Sequence, residues 1–207
     1  MILKKREFRG ASVLACWIAS TNLLAQGLLV DQASGTTDEL LQVFTRIPDN
    51  QIAQSFTPSL SAVGFVQFQT VVFDDNNGVG VTFAVNLREG AYNGPIISST
   101  TPVVIVRGPI QIGTFYYPET IPVTPGQLYF FQPMLQSAGD MDIGYKFPSS
   151  YPGGEAWNNG VPSGETADYW FREGIVVPEP CTVWLALLGF GALVCQRRVR
   201  RKQELCL

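Results

Sequence analysis

The chain has 207 residues, with 14 Lys and Arg against 17 Asp and Glu and no histidine. Without histidine there is no Ser-His-Asp or Cys-His nucleophilic site, and the commonest zinc ligand and neutral-pH general base are missing. Between residues 26 and 177, five Lys and Arg stand against fourteen Asp and Glu, a net of −9. That acidity excludes a nucleic-acid partner, whose phosphates need a basic face.

Lys4, Lys5, Arg6 and Arg9 open the chain, an apolar stretch follows over 11–24, and small Ala25 ends it. Basic start, apolar middle and small residue make a secretory signal peptide over 1–25, with a signal helix and Gln26 as first mature residue. An uncleaved signal anchor is the alternative. Val13-Leu14-Ala15-Cys16 has the outline of a lipobox, but only five residues separate Gly10 from Cys16. A signal's apolar region usually has about 7–15.

Residues 26–40 read as an N-terminal extension and 41–173 as one domain. Runs rich in β-branched and aromatic residues at 43–45, 53–56, 63–73 and 79–87 predict strands. In the last run Val79, Val81, Phe83, Val85 and Leu87 share one face, the period of a strand with one buried side. Further strands are expected at 103–106, 112–116, 127–132, 142–147 and 166–171. Gly, Pro and Asn turns part them, and no long helical period interrupts. The expected class is all-β, an antiparallel sandwich with Val81, Phe83, Val85, Phe56, Phe68 and Tyr129 or Phe130 inside. Cys16, Cys181, Cys195 and Cys206 all lie outside the domain, so packing rather than disulfides must hold it. The succession Ala53–Pro58, Phe83–Gly90, Tyr151–Trp157 and Asp168–Arg172 resembles the jelly-roll, carbohydrate-binding-module-like domains of bacterial surface proteins. The resemblance implies a jelly-roll-like β-sandwich and a glycan as one ligand class.

Within the domain, Tyr151 and Trp157 are candidates to stack on a sugar, and Asn158 and Asn159 to bond its hydroxyls. Asp74, Asp75 and Asn77, with Asn76, offer hard oxygens suited to calcium, though without EF-hand spacing; a solvated turn is the alternative. Asp140 and Asp142, two residues apart, raise the same question. Glu155 and Asp168 are the carboxylates a glycosidase would need, paired about 5–9 Å apart. Tyr169 and Trp170 should face opposite ways, with one in the core. No catalytic set, cofactor or resident metal is expected.

The chain closes with Pro178-Glu179-Pro180, an apolar stretch over 181–195, then Arg197, Arg198, Arg200, Arg201 and Lys202. Fifteen residues reach about 22 Å as a helix, short of a hydrocarbon core of about 30 Å. Gln196 and snorkelling arginines narrow the gap, giving a single transmembrane helix over 181–196. The basic tail, 197–207, stays cytoplasmic, and 174–180 reads as a linker. This three-part end resembles the PEP-CTERM sorting signal of bacterial surface proteins. The resemblance implies export by the secretion machinery in a Gram-negative host and transient anchoring in the inner membrane. Processing by an exosortase-type membrane transpeptidase and release to the cell surface or extracellular matrix would follow. Glu179, the only charge between Ile175 and the basic cluster, is the residue expected to be read. The expected function is a non-enzymatic exported surface or matrix protein; the alternative is a carbohydrate-binding module that recognises exopolysaccharide.

Overall fold

The computed structural model describes residues 26–39, 43–47, 51–74, 78–149, 151–164 and 166–178. The chain divides into two compact units, one of residues 28–177 and one of the ends, 1–27 with 178–207. Of the ends only Gln26, Gly27 and Pro178 are described. The expected signal helix, transmembrane helix, Glu179, Pro180 and basic cluster lie outside the described residues. Among those described, no helix is long and apolar enough to cross a membrane.

The described chain is all-β and forms a sandwich of two sheets. In chain order the strands are β1 (Gln26–Ala33), β2 (Phe44–Arg46), β3 (Ile52–Phe56), β4 (Ala62–Asp74), β5 (Val81–Glu89), β6 (Ile96–Ser99) and β7 (Val103–Ile105). They continue as β8 (Gln111–Pro122), β9 (Tyr129–Leu135), β10 (Asp140–Lys146), β11 (Ala156–Asn158), β12 (Val161–Pro162), β13 (Asp168–Tyr169) and β14 (Phe171–Pro178). The first sheet runs β1-β14-β4-β10-β13, with β8 beside β4 and β2 beside β10. The second runs β12-β11-β3-β9-β5-β6, with β7 also beside β5.

Alternation aims one side chain in two at the facing sheet. From β5 these are Val81, Phe83, Val85 and Leu87, all fully buried, as the period-2 run predicts. Phe83 meets Phe115 of β8 across the sandwich at 4.6 Å between ring centroids. Phe56 stacks on Phe131 at 4.1 Å and 5° between planes, and Phe131 is approached by Phe68 and Phe171 from the opposite sheet. Tyr129 joins this core, whereas Phe130 points to the outer face and is buried there. One polar pillar crosses the layers. The Gln54 amide donates to Asp168 at 2.6 Å and its carbonyl accepts from Tyr169 N at 2.8 Å.

Two expectations need correction, and a third holds with an addition. Val79 is 70% exposed in the turn before β5, because the chain reverses at Gly78 and Gly80, both at positive φ. The sheets also extend beyond 41–173: β1 occupies most of the supposed extension, and β14 runs through the supposed linker to Pro178. Tyr169 and Trp170 do face apart, yet both are fully buried. Tyr169 enters the core, while the segment after β1 covers Trp170, whose indole N–H donates to Thr36 O at 3.2 Å. Gly35 is required there, since a Cβ would collide with the indole.

Candidate functional site

The outer face of the second sheet carries a cleft of about 550 Å³. Two hairpins build its walls. The β5–β6 connection turns at Gly90, φ +73°, whose amide donates to Leu128 O at 3.0 Å. Arg88 fixes that loop from below, donating to Gly94 O at 2.6 Å and to the Gln132 side chain at 2.7 Å. This holds Tyr92 and Asn93 over the sheet. The β11–β12 hairpin turns on Asn159 and Gly160, φ +52° and +76°. Two successive positive φ values are what a tight Asn-Gly hairpin turn needs.

Ala156 is a core residue, so Trp157 beside it points outward. The Trp157 ring lies nearly parallel to Tyr92, 6.0 Å between centroids and 17° between planes. Its edge meets outward-facing Phe130 at 5.4 Å and 80°. Tyr92, Trp157 and Phe130 thus form an aromatic wall, completed by Leu128, Asn93 and the backbone of Gly90, Ala91 and Gly160. No carboxylate is among the described residues that line it. Burial raises the Tyr92 hydroxyl above its ordinary range, opposed by the Arg88 charge and the Gly160 backbone. At neutral pH it is a neutral phenol. The Trp157 indole N–H is buried and has no hydrogen-bond partner among the described residues.

The four glycan candidates read from sequence do not converge. Tyr151 is 6% exposed, packs edge-on against Phe171 at 5.2 Å, and accepts from Thr57 N at 3.2 Å. It is a core ring rather than a stacking platform. Asn158 is committed to the fold: its amide donates to Ser163 at 3.0 Å and its carbonyl accepts from the Tyr169 hydroxyl at 2.6 Å. Asn159 is the turn residue, its amide donating to Gln51 O at 2.7 Å. Only Trp157 reaches the cleft. Tyr92 was missed, although an aromatic between glycines in Gly90-Ala91-Tyr92-Asn93-Gly94 is a signal for a loop that presents a ring.

The carboxylate candidates also separate. Asp168 is fully buried under Gln54, and burial raises its carboxyl despite the Ser149 and Gln54 hydrogen bonds. Glu155 lines a different hollow, of about 410 Å³, with Tyr151, Pro152 and Gly154. Asp74 ends β4 and lies opposite Asp140 in register. Asp75 and Asn77 lie outside the described residues. Asp140 pairs with Arg46 at 3.3 Å. Burial raises Asp142, the Arg46 charge opposing and Asp140 adding. Among the described residues no three Asp, Glu, Cys or His side chains converge as a metal site would require. Pro178 closes β14. No protein-family model matches the chain, and no curated protein does.

Proposed function

We propose that the chain is a non-enzymatic exported protein of the cell surface or extracellular matrix, sorted through its PEP-CTERM-like end, with the sandwich as its adhesive module. The observation that supports adhesion best is the Tyr92–Trp157 cleft. Aromatic faces, one amide and open backbone suit holding a ligand, and the described lining residues include no acid pair with which to cleave one. The finer jelly-roll reading is supported by the chain's repeated crossing between sheets, from β3 to β4 to β5 and from β8 to β9 to β10. The secretion machinery exports the chain, and an exosortase-type transpeptidase processes it at the inner membrane near Pro178-Glu179-Pro180. Mass spectrometry of the surface-released form tests the sorting step. Intact peptides spanning 179–194, from cells that contain the sorting enzyme, would make the end an ordinary membrane anchor.

The near-parallel Tyr92 and Trp157 rings favour a second reading, a module for exopolysaccharide. The C–H face of a pyranose stacks on aromatic faces, and Asn93 offers an amide to its hydroxyls. The acidic domain repels polyanions, so the ligand is a neutral glycan. A glycan array with the released protein should show saturable binding to neutral polysaccharides, reduced at least tenfold in Tyr92→Ala. Binding that ignores Tyr92, or prefers anionic chains, would remove this second reading and leave the sorting reading intact.

A further inference from the structure

β1 closes the first sheet beside β14. Ser34 meets Phe171, its amide donating to Phe171 O at 3.1 Å and its hydroxyl accepting from Phe171 N at 3.0 Å. Farther back along β1, the Leu29 carbonyl and the Asp31 amide flank Gly174, three residues forward along β14, so the two strands run antiparallel and Asp31 stands beside Glu173. Apolar burial holds β1 only weakly: Leu28 and Leu29 are 37% and 48% exposed. Asp31 holds it better. Its carboxylate accepts from the amides of Ser59 and Leu60 at 2.7 and 2.9 Å, and from the Ser59 hydroxyl. Burial works against this charge, yet those donors keep the Asp31 carboxyl below its ordinary range.

Glu173 projects from β14 on the same side as core residue Phe171 and is fully buried. Among the described residues, none donates a well-formed hydrogen bond to either of its carboxyl oxygens. The groups around it are Asp31 and the Gln32 backbone on β1, apolar Val66 on β4, Tyr117 on β8 and Tyr151 in the loop before β11. The Tyr117 hydroxyl is itself buried without a hydrogen-bond partner among the described residues. No Lys or Arg is among them. An ionised carboxylate in that setting is strongly disfavoured, and a second carboxylate beside it makes matters worse. A neutral acid has a proton to give, and the Asp31 carboxylate is there to accept it.

We propose that Glu173 is kept as the neutral acid and donates to the Asp31 carboxylate, a proton-dependent clasp that docks the N-terminal strand onto β14. Docking takes one proton from solvent and undocking returns it. Burial first, and then Asp31, push Glu173 up to about 9 from an ordinary 4.5. The proton therefore holds the clasp most firmly at and just below about 4.5, down to where acid begins to protonate the Asp31 carboxylate itself. Between there and about 9 the open-to-closed ratio rises about tenfold per pH unit, and above that it levels off. Undocking bares the edge of β14, a template for pairing with another strand.

Hydrogen–deuterium exchange on the full chain tests this, read at residues 28–34 and 83–87 between pH 5 and 9 and corrected for intrinsic exchange. The expected result is opening at 28–34 that rises about tenfold per pH unit while 83–87 stays protected. In Glu173→Gln, whose amide donates to Asp31 at every pH, the slope should vanish. In Asp31→Asn the slope should end at a lower pH than in the parent. The proposal fails if the parent shows no slope, if Glu173→Gln keeps it, or if Asp31→Asn leaves its end point unmoved. Should Glu173→Gln not fold, the parent's slope and the Asp31→Asn end point decide alone.

Discussion

Phe83 shows what a single side chain does in this molecule. It leaves β5 toward the facing sheet, is fully buried, and packs on Phe115 across the sandwich. Truncating it removes both the apolar burial and the ring contact, and the rigid sheets on either side do not collapse into the space. Phe83→Ala should cost about 3–5 kcal/mol, read as a lowered midpoint in urea with an unchanged slope. A loss below about 1 kcal/mol would mean that the ring is not a core ring. The polar residues near the cleft divide on the same reasoning. Asn158 is a half-buried strut between Ser163 and Tyr169, so its loss destabilises, whereas Tyr92 touches the fold chiefly through Trp157 and the Gly160 backbone. Sequence alone did not separate these roles. An Asn-Asn-Gly run reads equally as hydroxyl binder, strut or turn until a partner is seen.

At the scale of strands, legibility followed burial. β5 was plain because polar and apolar residues nearly alternate along it. β4 was plain for the opposite reason: it is buried from Val63 to Val72 and is rich in β-branched and aromatic residues on both faces, with only Gly64, Gln67 and Gln69 between them. β1 was not legible. Leu28-Leu29-Val30 lacks alternation, and the strand is fixed by partners distant in sequence, Ser59, Leu60 and Phe171. β14 was hidden after Arg172 by Gly174, a residue that weakens strand propensity. Its glycine has a physical cause, because a Cβ there would collide with Leu29 O of β1. Gly174→Ala should therefore push β1 away from β14. We expect a loss of roughly 1–3 kcal/mol in chemical denaturation, with β1 amides losing protection before those of β9. Unchanged protection at β1 would show that the strands are not held so closely.

For the molecule as a whole, the same buried acids set how stability responds to pH. Glu173 and Asp168 both have carboxyls raised above their ordinary values by burial, so the folded protein binds protons more tightly than the unfolded chain. Their contribution is full below their unfolded values and is lost as pH rises, for Glu173 progressively up to about 9. Asp31 acts in the opposite sense. Its lowered value gives stability that is present above the ordinary 3.8 and lost on acidification. The melting temperature should therefore peak in the mildly acidic range, fall toward alkaline pH by the equivalent of a few kcal/mol (about 1.4 kcal/mol per unit and group), and fall again under strong acid. Calorimetry from pH 3 to 9.5 measures it. The domain's net negative charge, growing with pH, would also lower stability on the alkaline side, and salt separates the two causes. Repulsion between surface carboxylates is screened beyond about 8 Å at physiological ionic strength, whereas a fully buried acid is screened far less. If burial of Glu173 governs, the alkaline fall should persist at about half-molar salt and flatten in Glu173→Gln. A fall that salt abolishes and Glu173→Gln leaves intact would assign it to the surface charge instead.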